Sequence, residues 1–177
     1  MKTKSITALA AIFAVSLLFQ SELFSATDYK ITGSAEYRAS STMSDFSGKN
    51  ESVNGAMSLD APGGKICISL ASWNSGNARR DDHTGVMFEV SKFPQSCFDV
   101  QSITEKGGRS VLNGTLTLHG TAKPVQFTGV INKSGSEFTL ECDSVLLLTD
   151  FGLKAPVLMG IRVHNEVKVF IKIRGQR

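Results

Sequence analysis

Several things are scarce in this chain, and each scarcity removes a class of function. There is one tryptophan, four prolines and three histidines among 177 residues. No G-x-S-x-G turn is present, so the strained nucleophile of that hydrolase class is missing. No phosphate-cradling loop or dinucleotide fingerprint occurs, and no H-E-x-x-H. The three cysteines, Cys67, Cys97 and Cys142, form no C-x-x-C, which removes the thioredoxin-like motif and the usual zinc spacing. Charge of one sign is also lacking. The whole chain has 19 Lys and Arg against 16 Asp and Glu, dispersed along its length, so no nucleic-acid partner is expected.

Long apolar runs are absent after the first 20 or so residues. Lys2 and Lys4 precede a mostly apolar stretch from Ile6 to Phe19, and the small Ser25 and Ala26 follow. That order predicts a secretory signal peptide over 1–26, with cleavage after Ser25 or Ala26 although Phe24 is bulky. The run is shorter than the ~20 apolar residues of a spanning helix, so stable membrane insertion is not expected. A single domain over 27–177 remains, exported to the periplasm or secreted. Hydrophobic residues make up 41% and charged residues 20%, enough for a real core without metals or disulfides.

What is there is a period of two. Val53, Gly55, Met57 and Leu59 alternate with polar or small residues, and Pro62-Gly63-Gly64 turns the chain into Ile66, Ile68 and Leu70. Phe98 and Val100 lead to a turn at Gly107-Gly108. Leu112, Leu116 and Leu118 lead to His119-Gly120. Val125, Phe127 and Ile131 lead to Lys133-Ser134-Gly135-Ser136. Phe138, Leu140, Cys142, Ser144, Leu146 and Leu148 share a face of one long strand, and Val163, Val167, Val169, Ile171 and Ile173 share a face of the last. With Tyr29 to Ala39 as the first, about eight strands are predicted. The fold class is all-β: an antiparallel sandwich or barrel with one or two short helices, the strand number suiting a closed barrel with a filled or ligand-holding interior.

Two stretches break the rhythm. Asn74 to Phe93 should hold a short helix ended by Gly85, and Thr149 to Gly160 a loop or short helix beside a barrel mouth. The first contains the one dense polar cluster, Arg80-Asp81-Asp82-His83. Asp81 and His83 could be an acid–base pair or metal ligands. The favoured reading is a network of Arg–carboxylate and capping bonds that fastens the helix, because residues at i and i+2 do not share a helix face. His119, at a turn, should be solvated, and His164 lies on a polar strand face. Trp73 could line a pocket, but a plug at the barrel end is favoured. The sequons at Asn50, Asn113 and Asn132 carry no weight in a bacterial-type exported chain.

Strand parity puts Cys142 inward as a small apolar group, and Cys67 and Cys97 outward. The latter two flank the Asn74 to Phe93 excursion. If one disulfide forms, Cys67 with Cys97 is favoured, with three free thiols as the alternative.

In order along the chain, Asn77-Ala78-Arg79-Arg80-Asp81-Asp82-His83 with Met87-Phe88-Glu89-Val90-Ser91-Lys92-Phe93-Pro94, then Leu112 to Val125, then Asp150-Phe151-Gly152, resemble the YceI-like family of exported proteins. Their counterparts there are the "RD-x-H … F … K-Y/F-P", "G-x-L-T-L-x-G-x-T-K-P-V" and "D-F-G" segments. Residues Tyr29 to Met43 lack the family's "D-x-x-H-S" opening, so contacts from the first strand stay unassigned. The resemblance implies a lipocalin-like antiparallel barrel with an elongated apolar interior that holds a polyisoprenoid or other amphiphilic lipid, with no catalytic cofactor. Parity then nominates Met57, Ile68, Leu70, Phe98, Val100, Leu116, Phe127, Phe138, Leu140, Leu146, Val167 and Val169 as lipid contacts. Two competing expectations stand beside this one. The first is a fully packed barrel acting through its surface as an envelope or stress protein. The second is an enzyme using Asp81 and His83. A homodimer is left open.

Overall fold

The computed structural model describes residues 28–158 and 160–177; the expected signal segment, 1–26, lies outside them. Eight long strands close into one antiparallel barrel. They are β1 (Tyr29–Ser41), β2 (Asp45–Ser58), β3 (Gly63–Ser69), β4 (Gln95–Lys106), β5 (Arg109–Leu118), β6 (Thr121–Ser134), β7 (Glu137–Leu147) and β9 (Ile161–Gln176). Each pairs with its neighbour in sequence, β7 pairs with β9, and β9 pairs back to β1, so no edge is left open. A two-residue strand, β8 (Val157–Leu158), folds onto the start of β9. Among the described residues, one helix, α1 (Ala78–Met87), and two 3-10 turns, Leu70–Ser72 and Leu148–Phe151, complete the fold. The expected barrel of about eight strands is the observed one.

Two β-bulges decide which side chains face inward. In β2, Glu51 and Ser52 both stand opposite Ser34 of β1, so Asn50 and Val53 are both buried although three positions apart. In β4, Gln101 is extra against β5, and the inward set passes from Val100 to Ile103. The first bulge explains why the polar run Asp45 to Ser52 showed no strand pattern of its own. It is the first half of β2, in a different phase from Val53 to Leu59.

Asn50 is 1% exposed, yet every polar atom of its side chain is used. Its Nδ2 donates to the Ser69 carbonyl at 2.8 Å, and its Oδ1 accepts from the Ser52 amide at 2.9 Å and the Ser52 hydroxyl at 2.6 Å. The Ser52 hydroxyl in turn accepts from the Ser69 amide at 2.9 Å. This knot fixes the bulge to the 3-10 turn from which the long excursion departs. Asn50→Ala should cost about 2 kcal/mol, because it strands buried donors and acceptors, and should lower Tm by roughly 6 °C. Thermal unfolding followed by circular dichroism checks this, and an unchanged Tm would mean that the bulge holds without Asn50.

Outside, the barrel is polar. Lys65–Asp99, Arg109–Asp143, Lys172–Glu141 and Arg174–Glu137 form cross-strand ion pairs on exposed faces. Such pairs add little stability. They are the opposite of the apolar outer band of a membrane barrel.

Several close approaches depend on glycine, and three of them lie under aromatic rings of the strands. Gly175 lies beneath the Phe138 ring, Gly48 beneath Tyr37 and Gly114 beneath Phe98, and a Cβ at any of them would overlap the aromatic ring. The rings can occupy that space because the glycine of the paired strand offers no side chain there.

Candidate functional site

The interior is not filled. A cavity of about 610 Å³ opens at one end of the barrel, where β1 ends and β9 begins. The other end is plugged. Tyr29 and Phe138 meet edge to face at 4.8 Å, with Ile31 and Met57 packed about them, all at 2% exposure or less. Arg177 covers Tyr29 from outside, its guanidinium 4.2 Å from the ring centre.

Nine of the twelve nominated contacts line the cavity: Ile68, Leu70, Phe98, Leu116, Phe127, Leu140, Leu146, Val167 and Val169. Met57, Val100 and Phe138 do not. They are buried in the core below it. Parity reports whether a side chain faces in or out; it does not report its height along the barrel axis, and these three sit too low. Phe98 and Phe127 stand edge to face at 5.1 Å and narrow the lower cavity.

Other wall residues were not nominated. Leu112, Leu118, Val163 and Ile171 had the right parity. Ala35, Tyr37 and Ala39 come from β1, and Phe46 from the unassigned half of β2. Tyr37 meets Trp73 at 5.1 Å and Phe46 at 6.3 Å, both edge to face. Burial raises the Tyr37 phenol above its ordinary value, with Arg80 opposing and Asp81 adding to the shift. The ring therefore stays neutral. Trp73 is half-buried on the cavity wall and is not the plug, a role that falls to Tyr29 and Phe138. Cys142 faces the cavity from β7, and burial pushes its thiol up to about 12, so it acts as a neutral apolar surface.

Helix α1 stands at the mouth. Asn77 caps it, accepting from the Arg80 amide at 3.1 Å, and Thr84 donates back to the Arg80 carbonyl at 2.9 Å. None of its residues is fully buried. The helix does not stop at Gly85, which lies inside it; it runs on to Met87, and Phe88 is its C-cap. The left-handed residue after it is Glu89, at φ 48°. Glu89 pairs with His119 at 3.1 Å, and the His119 ring packs on Phe93 at 4.9 Å. His119 is thus held between two loops, with a side chain only 17% exposed, and is not a solvated turn residue. His164 is exposed, with Nδ1 3.0 Å from the Ser40 hydroxyl.

Within the polar cluster, both Asp81 carboxylate oxygens accept from the Ser75 amide, at 3.0 and 3.2 Å. Arg80 makes no ion pair with its acidic neighbours. Its guanidinium lies over Phe46, 4.8 Å from the ring centre. The expected fastening is therefore a carboxylate-to-backbone bond, a cap and a cation–π contact, in place of Arg–carboxylate pairs. Asp81 is turned to the chain before the helix while His83 borders the cavity, so the two are not joined as a dyad.

Cys67 and Cys97 are register partners on β3 and β4 and form a disulfide. The bridge closes the excursion that carries Trp73 and α1.

The family model for the YceI-like domain matches residues 20–174. The chain belongs to the YceI family. A UPF0312 protein of Pseudomonas aeruginosa is 28% identical over 188 residues, covering 96% of this chain and 97% of the relative. A UPF0312 protein of Pseudomonas putida is 30% identical over 116 residues, 59% of this chain and 60% of the relative. Among solved structures, Burkholderia cenocepacia BcnA superposes with a TM-score of 0.69 at 17% identity, covering 80% of this chain and 95% of that one. A polyisoprenoid-binding domain from Saccharophagus degradans gives 0.70 at 15% identity, covering 84% and 97%. At these identities the superpositions establish the YceI fold. In this YceI barrel the family's "RD-x-H" segment forms α1 at the mouth, and its "D-F-G" segment forms the 3-10 turn whose Phe151 is 1% exposed on the cavity wall.

Proposed function

We propose that this protein is an exported carrier that holds a polyisoprenoid or similar amphiphilic lipid inside the barrel. The observation that carries the reading is the cavity itself, blind at one end, open at the other and apolar over most of its wall. Such a surface binds by taking alkyl groups out of water, worth about 0.8 kcal/mol per methylene. The polyisoprenoid binding of the Saccharophagus relative supports the same ligand class. An unfilled interior speaks against the packed-barrel alternative. The separation of Asp81 from His83 speaks against that particular enzymatic one.

Export to the periplasm is the location proposed, with residues 1–26 as the signal and 27–177 as the domain. The N-terminal pattern supports it, as does the Cys67–Cys97 bridge, because such bonds persist in oxidising compartments. Among the described residues no helix is long and apolar enough to cross a membrane, and the charged barrel exterior suits water.

Mass spectrometry of organic extracts from gently purified protein tests the carrier reading. A stoichiometric lipid is the expected result. Protein that is empty and stays empty with every added isoprenoid or fatty lipid would sink it. His83→Ala should leave binding of an uncharged isoprenoid within about twofold and Tm within a few degrees, since only local contacts are lost. Loss of a measurable turnover in that variant would favour an enzyme.

A further inference from the structure

The cavity wall is apolar below and basic at its rim. Among the described residues that line it, the only basic side chains are Arg79, Arg80 and His83, and there is no aspartate or glutamate. All three stand on α1 at the mouth, with Arg79 and His83 one turn apart on the same face. The two carboxylates nearest in sequence do not neutralise them across the cavity. Asp81 is occupied by the Ser75 amide, and Asp82 is exposed and off the wall. On β4, the Ser96 hydroxyl of the wall is already engaged, donating to the Thr117 carbonyl at 2.9 Å.

We propose that this rim is an anion subsite, and that the ligand is a single-tailed lipid with a carboxylate or phosphate head seated on Arg79, Arg80 and His83. The inference rests on the carrier reading and adds the chemistry of the head. A guanidinium presents paired N–H donors that match a carboxylate or phosphate, and bonds to a charged partner are about twice as strong as neutral ones. The first turn of α1 adds its own preference for negative charge. Arg80 is already oriented by the Phe46 ring, so less side-chain freedom is lost on binding. An alcohol head would leave both guanidinium groups to water and gain little from the rim.

Three ligands with one tail isolate the head: geranylgeraniol, geranylgeranoic acid and geranylgeranyl monophosphate. Binding to delipidated full-length exported protein can be read from Trp73, the single tryptophan, which stands on the cavity wall. The acid and the phosphate should each bind at least about tenfold tighter than the alcohol, and added salt should shrink the gap. Arg79→Gln with Arg80→Gln should erase the preference. Arg79→Gln alone, at an exposed position, should reduce the preference without touching the Arg80–Phe46 contact. Equal or tighter binding of the alcohol, or a preference that survives the double substitution, overturns the anion subsite and leaves the carrier reading intact. Tight binding of only one anionic ligand narrows the head to that group. Failure of all three to bind overturns the carrier reading and the subsite together.

Discussion

Phe127→Asp is expected to abolish lipid binding and to destabilise the barrel by at least about 4 kcal/mol. Phe127 is 3% exposed on β6, with its ring against Phe98 and the cavity above it. Its loss removes an aromatic contact, opens the narrow part of the cavity to water and puts a carboxylate among apolar side chains. Burial raises the pKa of such a carboxyl, because the charged form is the one that loses solvation. A group whose folded pKa lies above its unfolded one is best tolerated when protonated. The stability gap between variant and parent should therefore be smaller near about pH 4 than at neutral pH, and should widen as pH rises. Urea unfolding at the two pH values, with Phe127→Leu as the apolar control, measures both effects. A variant that binds and unfolds like the parent would mean that Phe127 does not face the cavity.

Reduction of the Cys67–Cys97 bridge should be the next largest effect. The bridge closes a loop of 30 residues, and the entropy that it removes from the unfolded chain corresponds to about 3.5 kcal/mol. A domain of this size should lose roughly 10 °C in Tm on full reduction or in the Cys67→Ser, Cys97→Ser variant. Cys142→Ser should leave the response to reductant unchanged, because Cys142 is free. The closed loop contains Trp73 and α1, so lipid affinity should fall along with stability. Non-reducing peptide mapping of protein recovered without reductant gives the connectivity directly. A bridge to Cys142 would contradict its placement on the cavity side of β7.

Period-two patterning carried the barrel because every strand has one face on the interior and one on water. That constraint is local, and it is written in Leu112, Leu116 and Leu118 as plainly as in Val167 and Val169. Position along the axis is not local. It comes from the stagger between strands, and so Met57, Val100 and Phe138 were read as lipid contacts when they form part of the core below the cavity. The bulge at Glu51-Ser52 shifts phase within one strand, which hid the first half of β2 and with it Phe46 and the partner of Tyr37. Gly85 invited a helix end, but an isolated glycine costs a helix only about 1 kcal/mol, and the contacts of Met87 and Phe88 with the core outweigh it. His119 was unreadable for a different reason. Its partners Glu89 and Phe93 lie some 30 residues earlier and meet it only once the excursion folds back. The pairing of Phe138 with Gly175 belongs to the same class: each residue is ordinary in its own strand, and their meaning lies in the register between β7 and β9.

The plug of Tyr29 and Phe138 gives the barrel one door. Whatever threads in first must come out last, so a tail that has passed Phe127 can leave only by reversing its path. Each methylene drawn back past the rim returns apolar surface to water, and each therefore lengthens the stay by about fourfold. Arrival is limited by finding the mouth and depends little on tail length. Under the proposed carrier role, a sleeve closed at the bottom would sort its cargo by time: short chains would exchange quickly, and chains long enough to reach the floor would be held until something draws them out.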